Sequence, residues 1–360
     1  MSMSSAATTA TSRPGETMHP RTPRDEGRTV LVLREHDSVW APSAKAGVLA
    51  DAEAIHNELA QAGYHVVPVQ IQSPSQVPTL LKPFDPARCI VLNWHEGVES
   101  GAHDAVQVAA LLDEMWYTYT GAGTLTLQMT QDKLRAMRLL RAHGIPSPNW
   151  QSLAGNDCGE WDSFPAIIKL ASEHGSECLT AESVVHDDQA LRARAADLKA
   201  QGHEQLMVSE FVDGREFTVS LWGNGPIDAL PLIEIDYSDL PPALPRLRTY
   251  DAKWVDSSDA YQRTRLVRPQ NLSRQVSDRI LRVARDTYRA FGLRDFGRID
   301  IRMRDGIPFV IDVNSNPDIT AGSSFVTAAE FGGYDYPAML DRIVRLAIAR
   351  ADTMVPKKVF

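Results

Sequence analysis

Short, nearly continuous apolar runs alternate with helix-like stretches over the first third of this chain. TVLVLRE (Thr29 to Glu35), YHVVPVQI (Tyr64 to Ile71) and RCIVLNW (Arg88 to Trp94) are spaced by helices near Ala44 to Gly63 and Ala102 to Trp116. Strands alternating with helices predict a parallel α/β sheet. Thr124 to Gly144 then reads as one helix, stopped by Gly144 and Pro146. AIIKLA (Ala166 to Ala171) and CLTAESV (Cys178 to Val184) read as strands, and DQALRARAADLKA as a helix. LMVSEFV, REFTVSLWGN and ALPLIEID follow as antiparallel strands joined by Gly, Pro and Asn turns. After a proline-rich loop (Ser238 to Pro245), the pattern predicts a helix over Ser273 to Phe291, a hairpin, and a closing helix over Tyr336 to Ala351.

The hairpin GRIDIRMRDGIPFVIDVNSNPDIT (Gly297 to Thr320) is the most informative segment. Arg298, Asp300 and Arg302 alternate with Ile299, Ile301 and Met303, and Asp312 and Asn314 alternate with Ile311 and Val313. A two-residue turn at Asp305-Gly306 would set Asp300 and Asp312 on opposite faces. A three-residue turn, Arg304-Asp305-Gly306 with Gly306 left-handed, places Arg298, Asp300, Asp312 and Asn314 on one face. The two aspartates are then expected to be diagonal neighbours, roughly 7 to 8 Å apart at the backbone. Their carboxylates would converge on an ion, and magnesium, with one or two carboxylates plus phosphate and water, fits that donor set.

Composition narrows the setting. The chain has 360 residues, 43% hydrophobic and 23% charged, which is ordinary for a globular protein of two or three domains. A net charge of -9 argues against nucleic acid as the main partner. Cys89, Cys158 and Cys178 are far apart and form no CxxC pair, so a reducing cytoplasm is expected. Residues 1 to 27 lack the apolar segment of a signal peptide and read as a disordered leader. No apolar run approaches the ~18 residues of a membrane span.

Two lysines stand in unusual places. Lys169 lies within an apolar strand, where burial without an anion is costly, and a phosphate would serve as its partner. Lys133 sits in the first turns of a helix. SEHGSE, after Lys169, is a candidate to close over phosphates through backbone N–H groups and Ser172 or Ser176, although with one glycine it is equally a plain turn. Glu210-Phe211-Val212 ends a strand and can act as a hinge for a base edge, with Glu216 placed for ribose. The chain lacks GxxxxGK[ST], GxGxxG after a strand, HExxH and GxSxG, which counts against phosphate-loop ATPases, nicotinamide enzymes, zinc proteases and serine hydrolases.

Taken in order, HEG with ALLDEMWYTYTGAG, QDKLRAMRLLRAHGIPSP, PAIIKL, EFVDGREFTV, YDAKW and GRIDIRMRDGIPFVIDVNSNP resemble the ATP-grasp superfamily, within it the D-alanine-D-alanine ligase branch. The resemblance implies an ATP-grasp fold of mixed α/β (α+β) class: a parallel α/β domain over 28–124, a central subdomain over 125–207 and a C-terminal subdomain over 208–355. It implies that Lys133, Lys169 and Lys253 hold ATP phosphates, that Glu210 to Val212 meets adenine and that Glu216 meets ribose. Asp300, Asp312 and Asn314 match the ligands of two Mg2+ ions, with Mn2+ as a substitute. Arg298, with Lys253 and Ser176, is expected to be catalytic. The implied reaction is ATP-dependent amide formation between an amino-acid-like carboxylate and an amine through an acyl phosphate, releasing ADP and phosphate. A homodimer is expected by the same analogy.

The sequence departs from that pattern where the amino acids bind. The Glu-x-x-Ser turn expected after the first strand is Glu35-His36-Asp37-Ser38 here, leaving Glu35 or Asp37 for a substrate ammonium. Trp254 replaces a tyrosine, Asp312 replaces a longer glutamate, and Asp318 stands in place of a glycine near the second substrate. Ser323 matches the serine that grips the second substrate's carboxylate. The ATP half reads as kept and the amino-acid half as rebuilt, so an unusual peptide or secondary metabolite is the expected product. The alternatives are a true D-alanine-D-alanine ligase and a non-catalytic ATP-binding regulator.

Overall fold

The computed structural model describes residues 28–35, 42–94, 102–153, 160–172, 176, 178–255 and 257–354, with side chains placed except at 42–46, 102–103, 254 and 354. The expected leader at residues 1 to 27 and Asp37 lie outside this set. The first unit comprises β1 (Thr29–Glu35), α1 (Pro42–Gln61), β2 (His65–Ile71), α2 (Val77–Leu81), β3 (Cys89–Trp94), α3 (Ala102–Glu114) and β4 (Thr118–Tyr119). Its strands are all parallel, in the order β2-β1-β3-β4. β1 and β3 read as unbroken apolar runs because both faces of the sheet are covered.

The chain then forms α4 (Thr124–Thr130), α5 (Lys133–Ala142), β5 (Trp150–Leu153), β6 (Ala166–Leu170), β7 (Val184–Val185), α6 (Asp188–Ala200) and β8 (Leu206–Glu210). The single helix expected over Thr124 to Gly144 is two helices. Asp132 breaks it by leaving the helical region and capping α5, accepting the Arg135 N–H at 3.0 Å. The strand expected over Cys178 to Val184 shrinks to β7. Ser176 and Cys178 have positive φ, and a capped turn at Ala181–Ser183 uses the hydroxyls of Thr180 and Ser183 instead. Strands β5-β8-β6-β7 make a second, antiparallel sheet.

The third sheet is built from β9 (Glu216–Trp222), β10 (Asp228–Ala229), β11 (Ile233–Asp236), β12 (Arg265–Val267), β13 (Phe296–Arg304) and β14 (Ile307–Asn314). α7 (Tyr250–Trp254) and α8 (Asp259–Gln262) precede β12, α9 (Arg274–Ala290) precedes β13, and α10 (Ser324–Phe331) and α11 (Tyr336–Met354) close the chain. The strand order is β12-β11-β9-β13-β14, with β10 also paired to β9. α9 buries Ile280, Ala284, Thr287 and Tyr288 at helical spacing against this sheet.

The hairpin turn differs from expectation. Arg304 pairs with Ile307, so the turn is the two residues Asp305 and Gly306, both at positive φ (52° and 74°), as a type I′ turn needs. The common polar face is restored by a bulge. Asp300 lies opposite Asp312 and Ile301 opposite Val310, leaving Ile311 as the extra residue. The two aspartates are therefore direct cross-strand partners rather than diagonal neighbours.

α11 returns to the first unit. Its Leu340, Ile343, Val344 and Ala347 share a core with Val30, Val32, Ile55 and Leu59, and with Ile319, Phe325 and Val326. Asp295, fully buried, locks the junction: it accepts from Gly121 N (3.0 Å), Asn224 Nδ2 (2.9 Å) and Arg350 Nη2 (2.9 Å). No helix among the described residues is long and apolar enough to cross a membrane.

Candidate active site

A cleft lies between the second and third sheets. Its apolar end is formed by Ile167, Leu179, Phe211, Val212, Leu247 and Ile311. Its polar end carries Lys169, Arg248, Lys253, Asp300 and Asp312. A slot with an apolar wall around Phe211 and Leu247 and a charged lining around Asp300 and Asp312 suits a base attached to a polyanion.

β13 and β14 supply the charged floor. Arg298 donates through Nε to Asp300 Oδ1 (2.9 Å) and through Nη2 to Oδ2 (3.1 Å), a two-pronged pair, and reaches Ser324 Oγ with Nη1 (3.3 Å). Thr218 also donates to Asp300. Asn314 Nδ2 lies 3.1 Å from Asp300 Oδ2 and 3.5 Å from Asp312 Oδ2. Among the described residues no three His, Cys, Asp or Glu side chains gather as a metal cluster. The donors here are two carboxylates and an amide whose oxygen is brought to the same place by a flip. That hard-oxygen set is enough for magnesium only when phosphate and water complete the shell. It fits a metal carried in with a nucleotide.

The cations face this floor. Burial lowers the Lys169 pKa, opposed by Asp312 and reinforced by Lys133. Burial, Arg248 and Arg298 bring Lys253 down to about 8, against the opposing pull of Asp300 and Asp312. Arg248 is pushed down by burial and by Arg298, and its Nε has no acceptor among the described residues. For Arg298, burial alone would lower the pKa, but Asp300, Asp312 and Asp318 raise it. So many cations around two carboxylates leave the polar end of the cleft in want of an anion.

The other sequence-predicted residues fall around the cleft in different ways. Ser176 lines it and donates to the Arg248 carbonyl at 3.4 Å. Glu210, Phe211 and Val212 line it, with the Glu210 side chain held by Arg304 (3.1 Å) and by Asn149 N (3.0 Å). Glu216 is buried, and its Oε2 takes bonds from Arg302 Nε (2.9 Å) and the Tyr237 hydroxyl (2.8 Å). Lys133 opens α5, with its N–H on the Ala171 carbonyl at 2.8 Å. Asp318 caps its own turn, accepting from Thr320 N (2.8 Å) and Oγ1 (3.0 Å). Ser323 caps α10 and donates to the Asp318 carbonyl (2.9 Å). Glu35 ends β1 and does not line the cleft.

Two residues were missed. Arg302 binds the Val212 carbonyl (3.0 Å) and Glu216, and lies over the Phe211 ring at 5.0 Å, so it organises the hinge. Its signal was present, since it continues the Arg298, Asp300 alternation. Arg248 had none, because it comes from an irregular loop.

A parallel α/β sheet followed by two antiparallel sheets that grip a cleft defines the ATP-grasp class of ligases. A solved D-alanine-D-alanine ligase from Bacillus anthracis, complexed with ATP, superposes with a TM-score of 0.71 at 20% identity, covering 91% of this chain and 99% of that one. The family model described as the D-ala D-ala ligase C-terminus matches residues 139–345. The D-alanine-D-alanine ligase of Carboxydothermus hydrogenoformans is 30% identical over 312 residues, 83% of this chain and 93% of that one. An uncharacterized protein of Sinorhizobium fredii is 28% identical over 267 residues, 72% of this chain and 75% of its own length. The chain belongs to the D-alanine-D-alanine ligase family, as an ATP-dependent ligase that forms carbon–nitrogen bonds.

Proposed function

We propose that this protein condenses an amino-acid-like carboxylic acid with an amine or amino acid other than the D-alanine pair, for an unusual peptide or secondary metabolite. The observation that carries this reading is Asp318. It enters the electrostatics of Arg298, and with burial it shifts Asp51 upward. A carboxylate there repels a substrate carboxylate and favours an amine or hydroxyl. The relatives' names favour a second reading, in which D-alanine is both substrates.

In the proposed reaction the adenine lies in the apolar end of the cleft against Phe211 and Val212, and Glu216 meets the ribose. Lys133, Lys169 and Lys253 hold phosphates, with Ser176 above them. Asp300, Asp312 and Asn314 hold magnesium, two ions or manganese in their place, which would offset charge on the phosphates. Attack of the substrate carboxylate on the γ-phosphorus gives ADP and an acyl phosphate, and Arg298 balances charge on the transferred group. The amine nitrogen then attacks the acyl carbon, phosphate departs, and the nitrogen loses a proton. Glu35, Asp37, Asp318 and Ser323 are assigned to the amino-acid side, and the setting is a cytoplasmic one.

Dipeptide synthesis from D-alanine alone tests the substrate reading. It is expected to run roughly tenfold or more below the rate with the proper pair, and Asp318→Gly is expected to raise it. Ordinary D-alanine turnover in the wild type would decide for the second reading. Lys253 gives a pH prediction. Near pH 8 it is half deprotonated in the free protein, and an adjacent phosphate restores its proton. ATP binding at pH 8 should therefore take up protons, an effect that fades toward pH 6.5 and in Lys253→Met. Calorimetry in buffers of different ionisation enthalpy reads this directly.

A further inference from the structure

The carboxyl ends of β1 and β3 hold two buried polar side chains for which the described residues provide no partner. Arg34 is 8% exposed, its Nε meets no acceptor, and burial lowers its pKa with no neighbouring carboxylate to oppose the shift. Asn93 is 5% exposed, and neither its Oδ1 nor its Nδ2 is hydrogen-bonded. Folded proteins pair the large majority of such groups, and the Nε of a largely buried guanidinium is costly to leave without an acceptor.

Their place in the fold indicates what they await. In the order β2-β1-β3-β4 the chain leaves β1 toward one side and returns to β3 on the other. The β1–β3 gap is thus the switch point, and open parallel sheets take ligands in the crevice beyond the strand ends there. Arg34 pairs with Trp94 and Leu33 with Asn93, so the two orphaned groups flank this crevice on opposite faces of the sheet. The Arg34 face also carries Val30 and Val32, which share a core with Ile319 and Phe325. Ile319 follows Asp318, and Ser324 beside Phe325 meets Arg298. Asp51 of α1, whose Ile55 and Leu59 pack on the same face, senses Asp318. The Arg34 face of β1 is therefore the face that packs toward α1 and the segment after Asp318.

We propose that Arg34 binds a carboxylate of one substrate that does not itself react, so that the enzyme selects an acidic substrate at the β1–β3 crevice, with Asn93 offering a donor and an acceptor on the other face of the sheet. This assignment rests on the ligase reading above. A guanidinium clamps a carboxylate through two parallel bonds, and its partner would arrive with the substrate.

Two measurements on the full chain test it. In the first, Arg34→Met is melted without ligand. An unpaired buried cation replaced by an apolar side chain should raise Tm, whereas a lower Tm would reveal a partner within the chain and overturn the proposal. In the second, D- and L-aspartate and D- and L-glutamate are compared with their side-chain amides, by thermal shift and by amide formation with ATP, magnesium and an amine pool. At least one acid should shift the wild-type Tm and enter product, with KM about tenfold or more below that of its amide. Arg34→Met should lose the shift and raise that KM while changing kcat little, with Arg34→Lys in between. Equal use of acid and amide by the wild type, or an unaltered KM in Arg34→Met, would overturn it. The thermal shift stands apart from the chemistry: absent product with a persistent Arg34-dependent shift counts against the ligase reading, and an absent shift counts against Arg34.

Discussion

Arg298→Ala is expected to abolish amide formation, with kcat falling about 10³-fold or more, while ATP binding changes little. Arg298 is held on a rigid strand by its two-pronged pair with Asp300 and by Ser324, so its position is fixed before any substrate arrives. Its charge couples to Asp300, Asp312 and Asp318, so it is placed where charge would build first on the transferred phosphoryl group and then on the acyl oxygen. Its removal leaves Asp300 held by Thr218 and Asn314, which should preserve the floor of the cleft. Steady-state ADP release, ATP calorimetry and a circular dichroism melt separate lost chemistry from lost structure. Activity within about tenfold of wild type would remove Arg298 from the reaction.

The second large effect is expected at Asp312. Asp312→Asn should lower activity about 10²-fold or more and shift the magnesium requirement upward. It should also weaken ATP binding, because Asp312 supports the proton on buried Lys169. Asp312→Glu carries the longer arm usual in the family and should retain most activity. A magnesium titration of all three proteins checks this. Equal loss in Asn and Glu variants would mean that shape, not ligand charge, matters at this position.

Much of this site was legible because strand alternation is a strong signal. Arg298, Asp300, Asp312 and Asn314 do share a face, but by a different device from the one the sequence suggested. A type I′ turn uses only Asp305 and Gly306, and a bulge at Ile311 corrects the register. A bulge of ordinary apolar residues has no sequence mark, whereas a glycine turn does. The break between α4 and α5 was legible in principle from Asp132 as a cap, but the apolar spacing on either side continued through it. Tertiary contacts left no trace at all: Arg248 reaches the cleft from a loop, and the unpaired state of Arg34 depends on what packs around the end of β1.

The central claim is ligation through an activated carboxylate, and one assay addresses it most directly. The purified protein is incubated with ATP, magnesium and pooled L- and D-amino acids with small amines, and the products are read by mass spectrometry. ADP, phosphate and a product lighter than its two parents by one water are predicted. AMP with pyrophosphate would contradict the account, because it would mean adenylation in place of phosphoryl transfer.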